Sequence, residues 1–221
     1  MYIHNFDPIF FNIGFLEVRW YSIAYILGIL IGWWLGKKIF DHRNFQENLF
    51  SNVKKFDDYI TYLIISIILG GRLGYVFFYN LEYYIGKPFD IIKIWEGGMS
   101  FHGALLGIII GSLMFVKKNK LQFFFLLDIV ACVSPIGLFF GRIANFINSE
   151  LYGRATDAIW SVKFVLIDNI KRHPSQLYEA FFEGFILFFI LSYFFKKNYL
   201  KKPGQISGLF LFFYSLFRFF A

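Results

Sequence analysis

The sequence predicts an all-α, polytopic membrane helix bundle of about six spans, and three observations carry that prediction. Of 221 residues, 57% are hydrophobic and only 17% charged, with a mean hydropathy of +0.55; soluble domains are nearer half apolar and a quarter charged. The apolar residues gather into runs of the length a bilayer demands, about 20 residues for a helix. The net charge of +7 is held in short basic clusters between those runs. That is the topology signal of a membrane protein, not the basic face of a nucleic-acid binder, so nucleic acid is excluded as a partner.

Six apolar stretches read as spans: roughly 16–36, 58–79, 98–116, 123–146, 176–195 and 205–221. Lys37, Lys38, Arg43, Lys54 and Lys55, then Lys117, Lys118 and Lys120, then Lys196, Lys197, Lys201 and Lys202 fall in loops on one side. The opposite loops are longer and more sparsely basic. The positive-inside rule places the clustered lysines in the cytoplasm and the N-terminus outside. The start, Met1-Tyr2-Ile3-His4, lacks the basic region and small-residue cleavage site of a secretory signal. Residues 147–174 form the one outer segment long enough for a small lid or arm, and 1–221 reads as a single integral-membrane domain.

Within the spans, Gly28, Gly32 and Gly36 recur every fourth residue, as do Gly103, Gly107 and Gly111, and Gly137 with Gly141. Small residues at this spacing let helix backbones touch where lipid gives no hydrophobic drive to association. Cys132, the single cysteine, reads as a packed small residue. Asp128 reads as a local partner for a lysine of the adjoining loop.

Polar residues at membrane depth point to a site, because an ionisable group there costs a few kcal/mol or more and so usually serves a purpose. The stretch 141–154 (GRIANFINSELYGR) brings Arg142, Asn145 and Ser149 to one helix side by i+3 and i+4 steps, followed by Glu150 and Gly153. Arg72 ends the second span, where it is expected to snorkel to phosphates or to pair with an acid. In the stretch 97–107 (GGMSFHGALLG), a glycine hinge precedes Ser100 and His102, whose imidazole titrates in the range suited to proton transfer. Arg172-His173-Pro174-Ser175 opens the fifth span, on which Glu179 and Glu183 share a face and are expected to neutralise the intramembrane arginines. The last span puts Tyr214 one turn before Arg218. Arg19, Trp20 and Tyr21 stand at the outer mouth of the first. Two guanidiniums deep in a bundle imply an anion, and arginine's planar fork matches phosphate. No HExxH, paired-cysteine cluster, Walker lysine or GxSxG elbow suggests a metal, a nucleotide or a serine hydrolase, and no cofactor is expected.

Together the stretches 97–107, 141–154 and 172–179 (RHPSQLYE) resemble the phosphatidylglycerol–prolipoprotein diacylglyceryl transferases, bacterial inner-membrane enzymes of lipoprotein maturation. The similarity runs from Phe6-Asp7-Pro8 through Arg72-Leu73-Gly74-Tyr75 to Arg218. It implies transfer of diacylglycerol from phosphatidylglycerol to the lipobox cysteine thiol in the signal peptide of a prolipoprotein, forming a thioether and releasing glycerol phosphate. The partners implied are phosphatidylglycerol, the prolipoprotein and membrane lipids, with an active site toward the periplasm.

The resemblance also implies roles. His102 is the candidate base for the thiol, since the thiolate is the nucleophile. Arg142 and Arg218 are the candidate stabilisers of charge on the leaving phosphate. Asn145 and Glu150 would orient the headgroup or the arginines, and Tyr21, Gly153, Arg72 and Tyr214 are expected in substrate binding. In the family pattern an acid-and-arginine motif and a further span follow Arg218, so the chain is expected to be truncated at its C-terminus, with a reduced arm between Arg154 and His173. The competing classes are a lipid-binding or transport protein without chemistry, a phospholipid phosphatase and an inactive fragment. A transporter is expected to show an internal repeat with paired broken helices, which this sequence lacks.

Overall fold

The computed structural model describes residues 1–13, 16–47, 54–197 and 202–221. Lys201 and the side chains of Arg43 and Lys54, assigned above to basic loops, lie outside the described residues. The chain is mostly helical. Five helices are long and apolar enough to cross a membrane, and a shorter apolar one, Gln205–Phe220, follows them.

The elements run β1 (Tyr2–His4), β2 (Ile9–Ile13), β3 (Leu16–Arg19), α1 (Trp20–Glu47), α2 (Lys54–Tyr79), α3 (Leu81–Gly86), α4 (Phe101–Asn119), α5 (Phe123–Ile147), β4 (Val162–Phe164), β5 (Lys171–Arg172), α6 (Ser175–Glu179), a π-helical segment (Ala180–Ile186), α7 (Leu187–Lys196) and α8 (Gln205–Phe220). The first span starts later than the apolar pattern suggests. Leu16–Arg19 is a strand antiparallel to β2, and the helix opens at Trp20. Lys37 and Lys38 lie within α1, with their ammonium groups over the rings of Trp33 and Trp34 at 5.7 and 3.8 Å, so the first basic cluster begins on a helix and not in a loop.

Two compact units make up the chain: residues 40–127, and residues 1–39 with 128–221. In the first, α2 and α4 pack backbone to backbone. A Cβ on Gly74 would lie 2.7 Å from the Cα of Gly103, and one on Gly70 2.9 Å from that of Gly107. Any side chain at these positions would part the helices, so the glycine spacing on α4 is packing, as read from the sequence. Deeper, the rings of Tyr59 and Phe115 pack at 5.2 Å, tilted by 45°, and the Tyr59 hydroxyl meets Ser112 Oγ at 2.9 Å. The loop before α4 turns on Gly97 and Gly98, both in the left-handed region with φ of 84° and 80°. Ser100 then caps the helix by accepting the Gly103 amide at 3.1 Å.

In the second unit α1 meets α5 where Gly28 faces Gly137, a Cβ on Gly28 lying 3.3 Å from the Gly137 Cα. A Cβ on Gly141 would meet nothing within 4 Å, so that glycine is not explained by packing. Asp128 also departs from expectation. Its carboxylate accepts the amides of Gly204 and Ser207 at 2.8 Å each and the Ser207 hydroxyl at 2.7 Å, capping α8 in place of pairing with a lysine.

The segment 147–174 is built on a small sheet. β4 pairs in parallel with β1, Tyr2 opposite Val162, and antiparallel with β5. His4 is fully buried against Phe6, Phe146 and Phe164, ring centroids 4.7–5.1 Å apart, with Nδ1 3.2 Å from Ser149 Oγ. The sheet thereby fastens the N-terminus to the end of α5.

Candidate active site

The last two turns of α5 present Arg142 and Asn145 three residues apart, on one side of the helix. Opposite them, the helix begun by Ser175 leaves α-geometry at Ala180 and runs as a π-helix to Ile186. π-turns inside helices are uncommon and often accompany function. Gly184 lets this segment lie directly on α5: a Cβ there would fall 2.6 Å from Phe139 Cβ and 2.8 Å from its Cα. Glu179 and Glu183, one on each side of the helix-to-π transition, are thereby brought to the arginines.

Glu179 Oε2 lies 2.8 Å from Arg142 Nε, and its Oε1 contacts Arg218 Nη1. Glu183 stands further off and bridges the pair, with Oε2 3.7 Å from Arg142 Nη2 and Oε1 3.7 Å from Arg218 Nη1. The Glu183 side chain is wholly buried and Glu179 nearly so, whereas Arg218 is half exposed. The expected neutralisation of the intramembrane arginines by these acids is therefore present. It also alters the earlier inference that the arginines need an outside anion for their charge, because two carboxylates of the chain already balance two guanidiniums. Hydrogen bonding is another matter. Arg142 Nε, Glu179 Oε2 and both Glu183 oxygens are buried without an aligned hydrogen-bond partner.

A second polar group adjoins the first through Asn145. Its Nδ2 donates to the Tyr21 hydroxyl, which in turn donates to Glu150 Oε2 at 2.9 Å. Glu150 is held by an unusual backbone: Ser149 and Leu151 on either side of it are left-handed, with φ of 56° and 52°. For a leucine this is uncommon and costs energy that the surroundings must supply. The surroundings are the 172–179 stretch. Buried Gln176 donates Nε2 to the Glu150 carbonyl, and the Ser175 hydroxyl donates to the Leu151 carbonyl at 3.0 Å. Gly153 belongs to the same latch. Its amide donates to the His173 carbonyl at 3.0 Å, and a Cβ would lie 2.8 Å from that oxygen, which explains the glycine by close approach. Arg172 is anchored below it by Asp168 at 2.6 Å, and the guanidinium beside Asp168 holds its carboxyl below the usual carboxylate range.

Of the residues singled out from sequence, the structure gathers Tyr21, Arg142, Asn145, Glu150, Gly153, Tyr214 and Arg218 in one compact unit; Tyr214 is within electrostatic reach of both arginines and both acids. His102 and Arg72 belong to the other. His102 is exposed in the first turn of α4, edge-on to Phe101. Arg72 neither snorkels nor pairs with an acid. Its buried guanidinium donates to the carbonyls of Asp90, Ile91, Lys93, Gly97 and Gly98, tying down the loop before α4. Sequence reading passed over Gln176. The signal available was its place, a long amide directly after Pro174-Ser175 at a helix start.

The model of the prolipoprotein diacylglyceryl transferase family matches residues 8–221. This chain belongs to that family. Curated phosphatidylglycerol–prolipoprotein diacylglyceryl transferases are similar along nearly all of it. That of Rickettsia bellii is 54% identical over 215 residues, 97% of this chain and 80% of the relative. That of Rickettsia felis is 54% identical, covering 97% and 82%, and that of Rickettsia typhi 53% identical over 219 residues, covering 99% and 83%. In this diacylglyceryl transferase, the three stretches that carried the resemblance divide their work. The segment 141–154 supplies the polar groups, 172–179 latches their backbone, and 97–107 builds the start of α4.

Proposed function

We propose that this transferase works at the Arg142–Arg218 cluster and the adjoining Asn145–Tyr21–Glu150 chain. As a member of its family, the protein moves the diacylglyceryl group of phosphatidylglycerol to prolipoproteins. The observation that carries the assignment of the site is the state of Arg142. Its charge is balanced by Glu179 and Glu183, yet its Nε is buried beside Glu179 without an aligned hydrogen bond, and its Nη2 stands 3.7 Å from Glu183. Arg72, by contrast, donates to five carbonyls. A guanidinium held by long, poorly aligned ion pairs and not by a set of carbonyls is the one able to offer its planar fork to a phosphodiester.

In the reaction the lipobox sulfur attacks the glycerol carbon that bears the phosphate. A carbon–sulfur bond forms, the carbon–oxygen bond breaks, and the electron pair leaves with glycerol phosphate. Arg142 and Arg218 stabilise the charge that grows on that oxygen, which lowers the barrier only to the extent that they bind it better in the transition state than in the ground state. Asn145 and Tyr21 orient the headgroup, with Glu150 fixing the tyrosine hydroxyl. The resemblance assigns the thiol proton to His102, which is exposed in the first turn of α4 behind its glycine hinge. Gly153 and Tyr214 shape the surroundings, while the role of Arg72 is to hold the loop from which α4 and His102 start. The chain acts as one integral-membrane domain of the bacterial inner membrane. Its N-terminus and site face the periplasm, and the prolipoprotein enters by its signal peptide.

The test uses purified protein with phosphatidylglycerol and a short lipobox peptide, following glycerol phosphate release. Release is expected to require the peptide's cysteine, a serine peptide giving none. Arg142→Lys keeps the charge but loses the fork and is expected to lower kcat by about 10²-fold. Unchanged turnover in that variant removes the clamp.

A further inference from the structure

Glu183 has a stranger position than a neutralising acid requires. It is fully buried, neither oxygen has a close, aligned hydrogen-bond donor, and each oxygen faces a different guanidinium at 3.7 Å. Glu179 already makes the close contacts to both arginines. A carboxylate that merely compensated charge would be drawn into a fork with one arginine, where geometry and energy are best. Glu183 is instead held back from both by the π-helical segment, whose Gly184 is seated against the Phe139 backbone.

We infer that Glu183 is a positioning residue whose buried charge opposes the anion held by Arg142 and Arg218, so that the phosphorylated product is released. The inference rests on the clamp proposed above. Two guanidiniums and two carboxylates are neutral together, and a phosphodiester adds one negative charge. Glycerol phosphate, a monoester, carries more charge than the diester it came from, so two arginines opposed by Glu179 alone would hold product more tightly than substrate. Uniformly tight binding lowers KM without raising kcat, and tight product binding slows turnover. At low effective dielectric a negative charge within a few ångströms of the phosphate site weakens anion binding at least about tenfold.

The experiment measures KM for phosphatidylglycerol, kcat, and the inhibition constant for added glycerol phosphate on the full chain in detergent. Glu183→Gln, which keeps shape and removes charge, is expected to lower KM and the inhibition constant by about tenfold while kcat falls. Glu183→Asp retains the charge and is expected to keep the inhibition constant near that of the parent. A folded Glu183→Gln protein with unchanged or weaker product inhibition overturns the inference. Should that variant not fold, Glu183→Met is read in the same way, and failure of both to fold overturns it in favour of a purely structural acid. Arg142→Lys separates the two readings. If it leaves turnover and product inhibition intact, the clamp falls; if it abolishes them while Glu183→Gln is silent, Glu183 alone is reassigned.

Discussion

Adding one methyl group at Gly184 tests whether the approach of the π-helical segment to α5 sets the geometry of the charged cluster. The new Cβ would stand 2.6 Å from Phe139 Cβ, 2.8 Å from its Cα and 3.0 Å from its nitrogen. Two of those atoms are backbone and cannot rotate away. Carbon atoms rest at about 3.5–4.0 Å, so the segments must part by roughly 1 Å. Overpacking of this kind costs about 1–3 kcal/mol, and the better helix propensity of alanine returns up to about 1 kcal/mol. A net loss of about 1–2 kcal/mol is expected, read as a fall of a few degrees in Tm. The effect on activity is expected to be larger. Glu183 precedes the altered residue and Glu179 lies one turn before it, so the same displacement passes to the two arginines. A misplacement of about 1 Å commonly costs about 10²-fold in rate. The assay is glycerol phosphate release alongside thermal unfolding. Gly208→Ala is the control, since a Cβ there would meet nothing within 4 Å, and it should be silent in both. Gly184→Ala with full turnover would refute the claim that this contact positions the site.

Two further predictions concern stability. Asp128→Asn leaves one acceptor for three donors' worth of contacts and turns an amide toward the Gly204 or Ser207 N–H; a loss of about 1–3 kcal/mol is expected in thermal or denaturant unfolding. The His4 imidazole is pushed below its usual 6.5 chiefly by burial. The unfolded chain therefore binds that proton more readily. Stability is expected to fall as pH drops through 6.5 and to stop falling once the folded-state value is passed. Tm measured from pH 7.5 down to 5.5 should show the slope, and His4→Gln should flatten it.

The membrane helices were legible because one strong signal, apolar length, specifies them with little help from context. Their boundaries were less so. The strand at Leu16–Arg19 alternates apolar Leu16 and Val18 with Glu17 and Arg19 and runs straight into the helix, and its partner Ile9–Ile13 is what fixes it as a strand. β4 and β5 are three and two residues long; β4 owes its form to pairing with distant β1, and β5 to pairing with β4, which no local pattern announces. In the site, i+3 and i+4 arithmetic found Arg142 with Asn145 and the acids on the fifth span. It could not foresee the π-helical register, nor the left-handed Ser149 and Leu151 that aim Glu150. Arg72 shows the limit most clearly. An arginine at a span end carries the same sequence signature whether it meets phosphates or carbonyls, and here five carbonyls decide.

The cluster is drawn from three segments that leave the ribosome in a fixed order: Arg142, then Glu179 and Glu183, and Arg218 last. Until α8 is delivered, the nascent protein holds two acids against one base inside a membrane, an unbalanced state that lipid penalises. The arrival of Arg218 removes the imbalance, and the Asp128 cap fixes the start of the helix that carries it. Docking of α8 and charge balance in the cluster are therefore coupled: until Arg218 reaches Glu179 and Glu183, a buried carboxylate lacks its counter-charge.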